Sequence, residues 1–287
     1  MTIPLAINFS REAASLLEAG AIRVDRWKCP PWPDLIAEAR QTLPVYVHFD
    51  LIAGGGRVLT ENWGAIEQMM TETDTPFVNL HLAPELVDFR YSAEPLTADQ
   101  RQRVFEQMIA DVSFVVERFG AERVIVENIP YRGRHERKGR KFLRPAVEPQ
   151  VFTQVLNETG AGMLFDIAHA LITSDTLGLD AQAYIADLPL ERTRELHLAG
   201  VRQHKGDPED HLEMTDLDWL LFERTLGMMV RGRAAVPWMV SLEYGGFGER
   251  FEWRSERRVI ADHALRIRRM LDAVAVPAEP HPSVSSP

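Results

Sequence analysis

The chain has 287 residues, of which 45% are hydrophobic and 26% are charged, a balance typical of a globular protein with a sizeable core. Its formal net charge of −10 argues against a nucleic-acid partner, because phosphate contacts favour basic surfaces. With Cys29 as its one cysteine the chain cannot form an internal disulfide, which fits a cytoplasmic protein, and we predict neither a signal peptide nor a membrane span.

Eight short apolar runs are typical of buried parallel strands, because both faces of each run are apolar. They are residues 5–8, 22–25, 45–49, 77–81, 124–127, 163–166, 195–198 and 239–243. Helical patterns accompany them at 11–19, 32–41, 63–72, 97–119, 148–159, 181–188, 216–226 and 256–273. This alternation, at a spacing of roughly 30 residues, predicts an α/β protein with one (β/α)₈ TIM-barrel domain over residues 1–275. The tail 276–287, rich in Pro and Ser, is predicted to be disordered.

Possible metal ligands occur at or just after the ends of the predicted strands. In a barrel these ends meet at one face, where active sites are built. The candidate metal ligands are His48, His81, Glu127, Asp166, His197, His211 and Glu243. Asp25, interpreted as the end of the second strand, is a candidate catalytic residue, as are His169 and His204 in the loops that follow later strands. The two histidines could instead bind metal or orient its ligands.

Imidazole and carboxylate groups together suit iron, manganese or zinc. One catalytic ion needs about three protein ligands, so this set is large enough for two or three ions that share carboxylates. Bound cations would also offset the repulsion between the converging carboxylates. The basic loop 131–144 follows the fifth predicted strand and could be a lid over an anionic substrate or a solvated loop.

Six segments, in chain order, carry the candidate ligands or lie beside them: VHFDLIAGGG, NLHLAPE, IVENIPY, GMLFDIAHA, ELHLAG and SLEYGG. Together they resemble the multinuclear non-haem iron-dependent oxidases, a family within the xylose-isomerase-like barrels that includes the methanobactin biosynthesis oxidase. The resemblance implies a barrel with two or three irons. It also implies that the substrate is a ribosomally made peptide, modified with dioxygen and often delivered by a partner protein.

The resemblance also implies roles for individual residues. His48 and His81 match the first two family histidines, Glu127 matches the glutamate of an ENP-like motif, and Asp166 matches the aspartate of a DVNN-like motif. His197 matches the histidine of the HLAGH motif, Asp210 and His211 resemble a DTHD-like segment, and Glu243 matches the final glutamate. The chain departs from the family where Ile167-Ala168-His169 follows Asp166 in place of a segment with two asparagines, and where Asp25 and Arg26 stand for an ExH-like motif in strand two.

Other functions are compatible with the same residues. A sugar isomerase or epimerase of the xylose-isomerase-like type would use manganese or another divalent ion and a small-molecule substrate, without dioxygen. A barrel endonuclease would bind three zinc ions, although the negative charge of this chain disfavours it. A metal-free barrel could instead act as a peptide-binding scaffold.

Overall fold

A computed structural model of the chain describes residues 2–133, 141–204, 207–248 and 251–274. The tail 276–287 and residues 134–140 of the basic loop, for which we made predictions, lie outside these ranges. No described helix is both long and apolar enough to cross a membrane.

The described residues form a parallel barrel, which confirms the predicted fold class. The strands are β1 (Leu5–Asn8), β2 (Arg26–Cys29), β3 (Val45–Val47), β4 (Ile52–Ala53), β5 (Val78–Leu82), β6 (Val124–Glu127), β7 (Gly162–Asp166), β8 (Thr193–Leu198), β9 (Gly200–His204), β10 (Asp207–Leu212) and β11 (Met239–Leu242). Their order in the main sheet is β3-β2-β1-β11-β8-β7-β6-β5-β4. Because β3 pairs with β2 and β4 pairs with β5, these two short strands are parts of one barrel strand. The remaining pair, β9 and β10, forms an antiparallel hairpin.

Helices follow most of the strands and cover the barrel. They are α1 (Arg11–Glu18), α2 (Pro33–Ala39), α3 (Trp63–Thr73), α4 (Ala98–Phe119), α5 (Pro149–Thr159), α6 (Ile167–Leu177), α7 (Ala181–Ala186), α8 (Asp216–Val230) and α9 (Arg257–Ala273). Ser10 caps α1, and Thr97 forms a capping box with Gln100 at the start of α4, which satisfies otherwise unpaired helical N–H groups.

The second strand differs from its predicted position. The run 22–25 is apolar because Ile22 and Val24 are buried, but it precedes the strand, and β2 begins at Arg26. The predicted place of Asp25 in the catalytic face is therefore wrong. Its carboxylate accepts a hydrogen bond from the backbone N–H of Leu5 and pairs with Arg268, at the opposite end of the barrel from the predicted site.

Two further elements are absent from the sequence prediction. Helix α6 begins immediately after β7, so His169 lies in the first helical turn instead of a loop. The hairpin of β9 and β10 carries Asp210 and His211. Neither element has a strong local pattern, because α6 is apolar on nearly all sides and the hairpin is polar and short.

Candidate metal centre

The ends of four adjacent strands bring four of the predicted ligands together. Residue pairing places His81 on β5 opposite Glu127 on β6, and Asp166 on β7 opposite His197 on β8. Glu127, Asp166 and His197 are almost fully buried, with at most 1% of each residue exposed. Parallel pairing in register therefore converts four separate sequence positions into one polar cluster inside the barrel mouth.

Glu127 lies between two groups of histidines. Its Oε2 atom is 3.2 Å from Nε2 of His81 and 3.6 Å from Nε2 of His48. Its Oε1 atom is 3.3 Å from Nδ1 of His169 and 3.9 Å from Nδ1 of His197. Atoms that share one ion at a bond length of about 2 Å lie about 3–4 Å apart. Glu127 belongs to two compact sets of ligand atoms, one with His48 and His197 and one with Asp166 and His169, so one carboxylate serves two candidate sites.

The second group of ligands surrounds His169. Its Nδ1 lies 2.8 Å from the backbone carbonyl oxygen of Asn128, so Nδ1–H donates there and Nε2 faces the centre. Nε2 is 3.3 Å from Oδ2 of Asp210 and 3.7 Å from Oδ2 of Asp166. Asn128 also donates its amide to the carbonyl of Asp166 and accepts the backbone N–H of Asp166. Backbone contacts thus fix the tautomer and orientation of this ligand.

The third group lies at the ends of β8 and β11. Nδ1 of His197 is 3.1 Å from Oε1 of Glu243, and Nδ1 of His211 is 3.7 Å from Oε2 of the same carboxylate. With Nδ1 of His197 turned inward, its Nε2–H donates to Glu195 over 2.7 Å. His211 has a φ of +59°, which is uncommon for a residue with a side chain and frequent at functional sites.

A lysine completes this third group. Lys28, on β2, is 5% exposed, forms an ion pair with Glu243 and has its Nζ 3.4 Å from both ring nitrogens of His197. Burial lowers the pKa of Lys28 to about 8, although the charges of Glu127, Glu195 and Asp166 act in the opposite direction. The chain therefore holds an ammonium group among the candidate metal ligands.

The pKa values in the cluster are strongly shifted. Burial raises the pKa of Asp166 to about 6 and that of Glu195 to about 7. Burial, reinforced by Lys28 and neighbouring histidines, holds the pKa values of His48 and His197 well below the usual range. The last two are therefore neutral near pH 7, which is the form of imidazole that binds metal ions.

The described residues fit a bound cation. Oε2 of Glu127, Oδ2 of Asp166 and Nδ1 of His211 are buried without a hydrogen-bond partner in the described part of the chain. Unpaired buried acceptors are costly, and bound cations offset that cost. Three groups of ligand atoms are compact enough to hold an ion: His48–Glu127–His197, Glu127–Asp166–His169 and Asp166–His197–Glu243. Their imidazole and carboxylate donors suit iron, manganese or zinc.

The structure brings together most of the predicted site residues. They are His48, His81, Glu127, Asp166, His169, His197, His211 and Glu243. Among its described contacts, His204 instead approaches Glu209 on the hairpin and stacks on Trp253, while Asp25 is remote. Sequence reasoning did not single out Lys28 and Glu195, and it linked Asp210 to the site only through the family resemblance. A charged residue between Trp27 and Cys29 is the one local signal for Lys28.

Comparison with known proteins agrees with this site. A family profile described as "RiPP precursor modification enzyme MbnB/TglH/ChrH" matches residues 28–232, more than half of the chain. A UPF0276 protein of Rhizorhabdus wittichii is 23% identical over 172 residues. That alignment covers 59% of this chain and 59% of the relative, so the chain spans less than two thirds of the relative's length.

Solved structures with little sequence identity share the barrel. Mannonate dehydratase from Streptococcus suis serotype 2 superposes with a TM-score of 0.58 and 10% identity, covering 100% of this chain and 99% of that one. D-psicose 3-epimerase from Clostridium cellulolyticum H10 has a TM-score of 0.54 and 11% identity, covering 94% and 99%. At these identities the likeness extends to the fold alone.

Proposed function

Because this chain belongs to the MbnB/TglH/ChrH family of RiPP precursor modification enzymes, we propose that it is a multinuclear non-haem iron-dependent oxidase. It would use dioxygen to modify a ribosomally made precursor peptide, such as one containing cysteine. The observation that carries the proposal is the buried carboxylate of Glu127, which belongs to two compact sets of candidate ligands, one with His48 and His197 and one with Asp166 and His169. Such an arrangement suits a pair of ions bridged by one carboxylate.

Each ion would have its own ligands. His48, His81 and Oε2 of Glu127 would hold one ion. Asp166, Asp210, Nε2 of His169 and the Glu127 carboxylate would hold the other. Bound iron would supply the redox chemistry with dioxygen that protein side chains lack.

Exposure of the ligands indicates how a substrate would approach. The side chains of His48, His81 and His211 are 17%, 19% and 18% exposed, whereas those of His169 and His197 are 8% and 0% exposed. The substrate would therefore reach the centre between the three more exposed histidines. The buried pair would hold its positions against the barrel floor and keep water from the inner side of the centre.

The test begins with protein purified without oxygen and reconstituted with ferrous iron. We expect about two irons per chain and dioxygen consumption that depends on a precursor peptide encoded near the gene, with a mass change in that peptide. A co-purifying partner protein is added in parallel, because a partner could deliver the peptide. Bound manganese or zinc that supports sugar epimerisation, with no dioxygen use, would favour the isomerase alternative instead.

Substitution of one ligand links the metal to the activity. We expect His81→Ala to lose iron and activity together, because Nε2 of His81 is the nitrogen closest to Oε2 of Glu127. His263→Gln is the matched control, since His263 is buried but bonds to the backbone N–H of Met214, outside the centre. Full iron occupancy in His81→Ala would remove this residue from the ligand set.

A further inference from the structure

Lys28 occupies the part of the centre in which a third ion would otherwise bind. Of the three compact ligand groups, the group Asp166–His197–Glu243 shares two members with the contacts of Lys28. An ion bound to Glu243 and Nδ1 of His197 would have to lie about 2 Å from each atom. The Lys28 ammonium already pairs with that carboxylate and lies beside that ring. An ion and the ammonium would therefore compete for one space and one carboxylate.

The ring of His197 restricts the number of ions in a second way. Its Nε2 is bonded to Glu195, so Nδ1 is the one ring nitrogen left for a metal. Two of the compact groups, His48–Glu127–His197 and Asp166–His197–Glu243, both require that nitrogen. The first group can use Nε2 of His81, 3.2 Å from Oε2 of Glu127, in place of His197. For the Asp166–His197–Glu243 group, His211 is the one other histidine among the described contacts of Glu243, with its Nδ1 3.7 Å from Oε2 of that carboxylate.

We infer that Lys28 takes the place of a third metal ion, so that this chain binds two ions, both held in part by Glu127. The inference rests on the proposed metal-dependent function and gives the centre its stoichiometry. Charge supports it, because two dications, the Lys28 ammonium and the Arg132 guanidinium that pairs with Asp210 already exceed by one charge the five carboxylates of Glu127, Asp166, Glu195, Asp210 and Glu243. A third dication would add to that net positive charge in a buried site. Lys28 therefore acts as a positioning residue that sets metal number and holds Glu243.

The experiment counts ions in the full-length chain, independently of activity. Wild type, Lys28→Ala and the double variant Lys28→Ala/Glu243→Gln are loaded without oxygen, separately with ferrous iron and with zinc, desalted and analysed for metal. We expect two ions in wild type, three in Lys28→Ala and two in the double variant, which lacks the carboxylate for the added ion. Lys141→Ala, at an exposed lysine, is the matched control and should bind two ions.

Several results would overturn the inference. These are a wild-type count other than two, or a folded Lys28→Ala that still binds two ions. If Lys28→Ala does not fold, anomalous diffraction from wild-type crystals provides the second measurement. It should locate two ions near Glu127 and none bound to Glu243, and an ion bound to Glu243 would contradict the inference. Because ions are counted independently of activity, two ions per chain together with no peptide oxidation by the iron-loaded protein would leave the Lys28 inference standing and reject the oxidase proposal.

Discussion

The two sides of the centre neutralise their carboxylates in different ways. On the side of β6 and β7, Oε2 of Glu127 and Oδ2 of Asp166 are buried without a hydrogen-bond partner in the described residues. On the side of β2 and β11, Glu243 is paired with the buried ammonium of Lys28. A buried carboxylate without a partner favours an added cation, whereas a buried ion pair is already neutral. On the proposed function, the first side would depend on ions from solution. On the second side the chain itself neutralises Glu243, although Nδ1 of His211 stays without a partner in the described residues.

The largest effect that we expect comes from Glu127→Gln. The substitution keeps the shape of the side chain but removes the charge that faces both ligand groups. We expect metal affinity to fall by at least about 100-fold at both proposed positions, because the carboxylate would contribute to each of them. Metal analysis after dialysis should give less than about one ion per chain. The exposed Glu122→Gln is the control and should keep the wild-type content. If Glu127→Gln kept the wild-type metal content, the two sides of the centre would no longer differ in their dependence on bound ions.

Glu243→Gln should affect stability more than metal content. It leaves the Lys28 ammonium buried without its carboxylate, and loss of one partner of a buried pair costs about 3–5 kcal/mol. We expect the free energy of unfolding of the metal-free protein, measured with urea and a chelator, to fall by about 3 kcal/mol. Glu213→Gln breaks ion pairs with the partly exposed Arg202 and Arg258 and should cost less than about 1 kcal/mol.

A second variant separates charge from packing at this position. Lys28→Met/Glu243→Gln removes the ammonium as well, so most of the stability lost in Glu243→Gln should return. A double variant as unstable as Glu243→Gln would mean that packing, and not the uncompensated ammonium, causes the loss.

The side proposed to bind ions is also the side that the sequence predicts best. His81, Glu127 and Asp166 each lie at or near the end of an apolar run, and the rule that such ends meet at one barrel face brings them together. The position of Lys28 in the site could not be predicted in this way, because the direction of its side chain depends on how β2 pairs with β1 and β3. That register depends on contacts between distant residues and not on a local pattern.

The local apolar pattern also explains why Asp25 was wrongly predicted to end the second strand. Ile22 and Val24 are core residues, but they belong to the segment that enters β2. Burial was predicted correctly there and strand position was not, because apolar composition indicates burial without specifying backbone pairing. The hairpin that carries Asp210 and His211 has polar strands, so apolar periodicity could not predict it.

The pH dependence of folding stability has a contribution from His263, outside the metal centre, that can be separated from the contribution of the centre itself. Burial lowers the pKa of His263 to about 4, while its ordinary value is 6.5. The unfolded chain therefore binds a proton at higher pH than the folded chain, so stability is lost as pH falls through 6.5 towards 4. Between pH 7 and pH 5 we expect this residue to contribute a loss of about 2 kcal/mol.

His263→Gln tests this contribution. The buried cluster histidines with lowered pKa values, such as His48, act in the same direction, so the variant should reduce the pH slope of the unfolding free energy without abolishing it. Urea denaturation at pH 5 and pH 7 measures the slope. An unchanged slope would assign the acid sensitivity to the centre alone.

The smallest effect concerns the residue behind His197. Glu195 accepts hydrogen bonds from Nε2 of His197 and from the indole N–H of Trp238, which holds the ring with Nδ1 inward. If Lys28 excludes a metal ion from the Asp166–His197–Glu243 group, His197 contributes little to metal binding. Glu195→Gln should then weaken ion affinity by only about 10-fold. Competition with a chelator measures this affinity, with the exposed Glu191→Gln as control. A loss as large as that of Glu127→Gln would make His197 a principal ligand, and the two sides of the centre would then depend equally on bound metal.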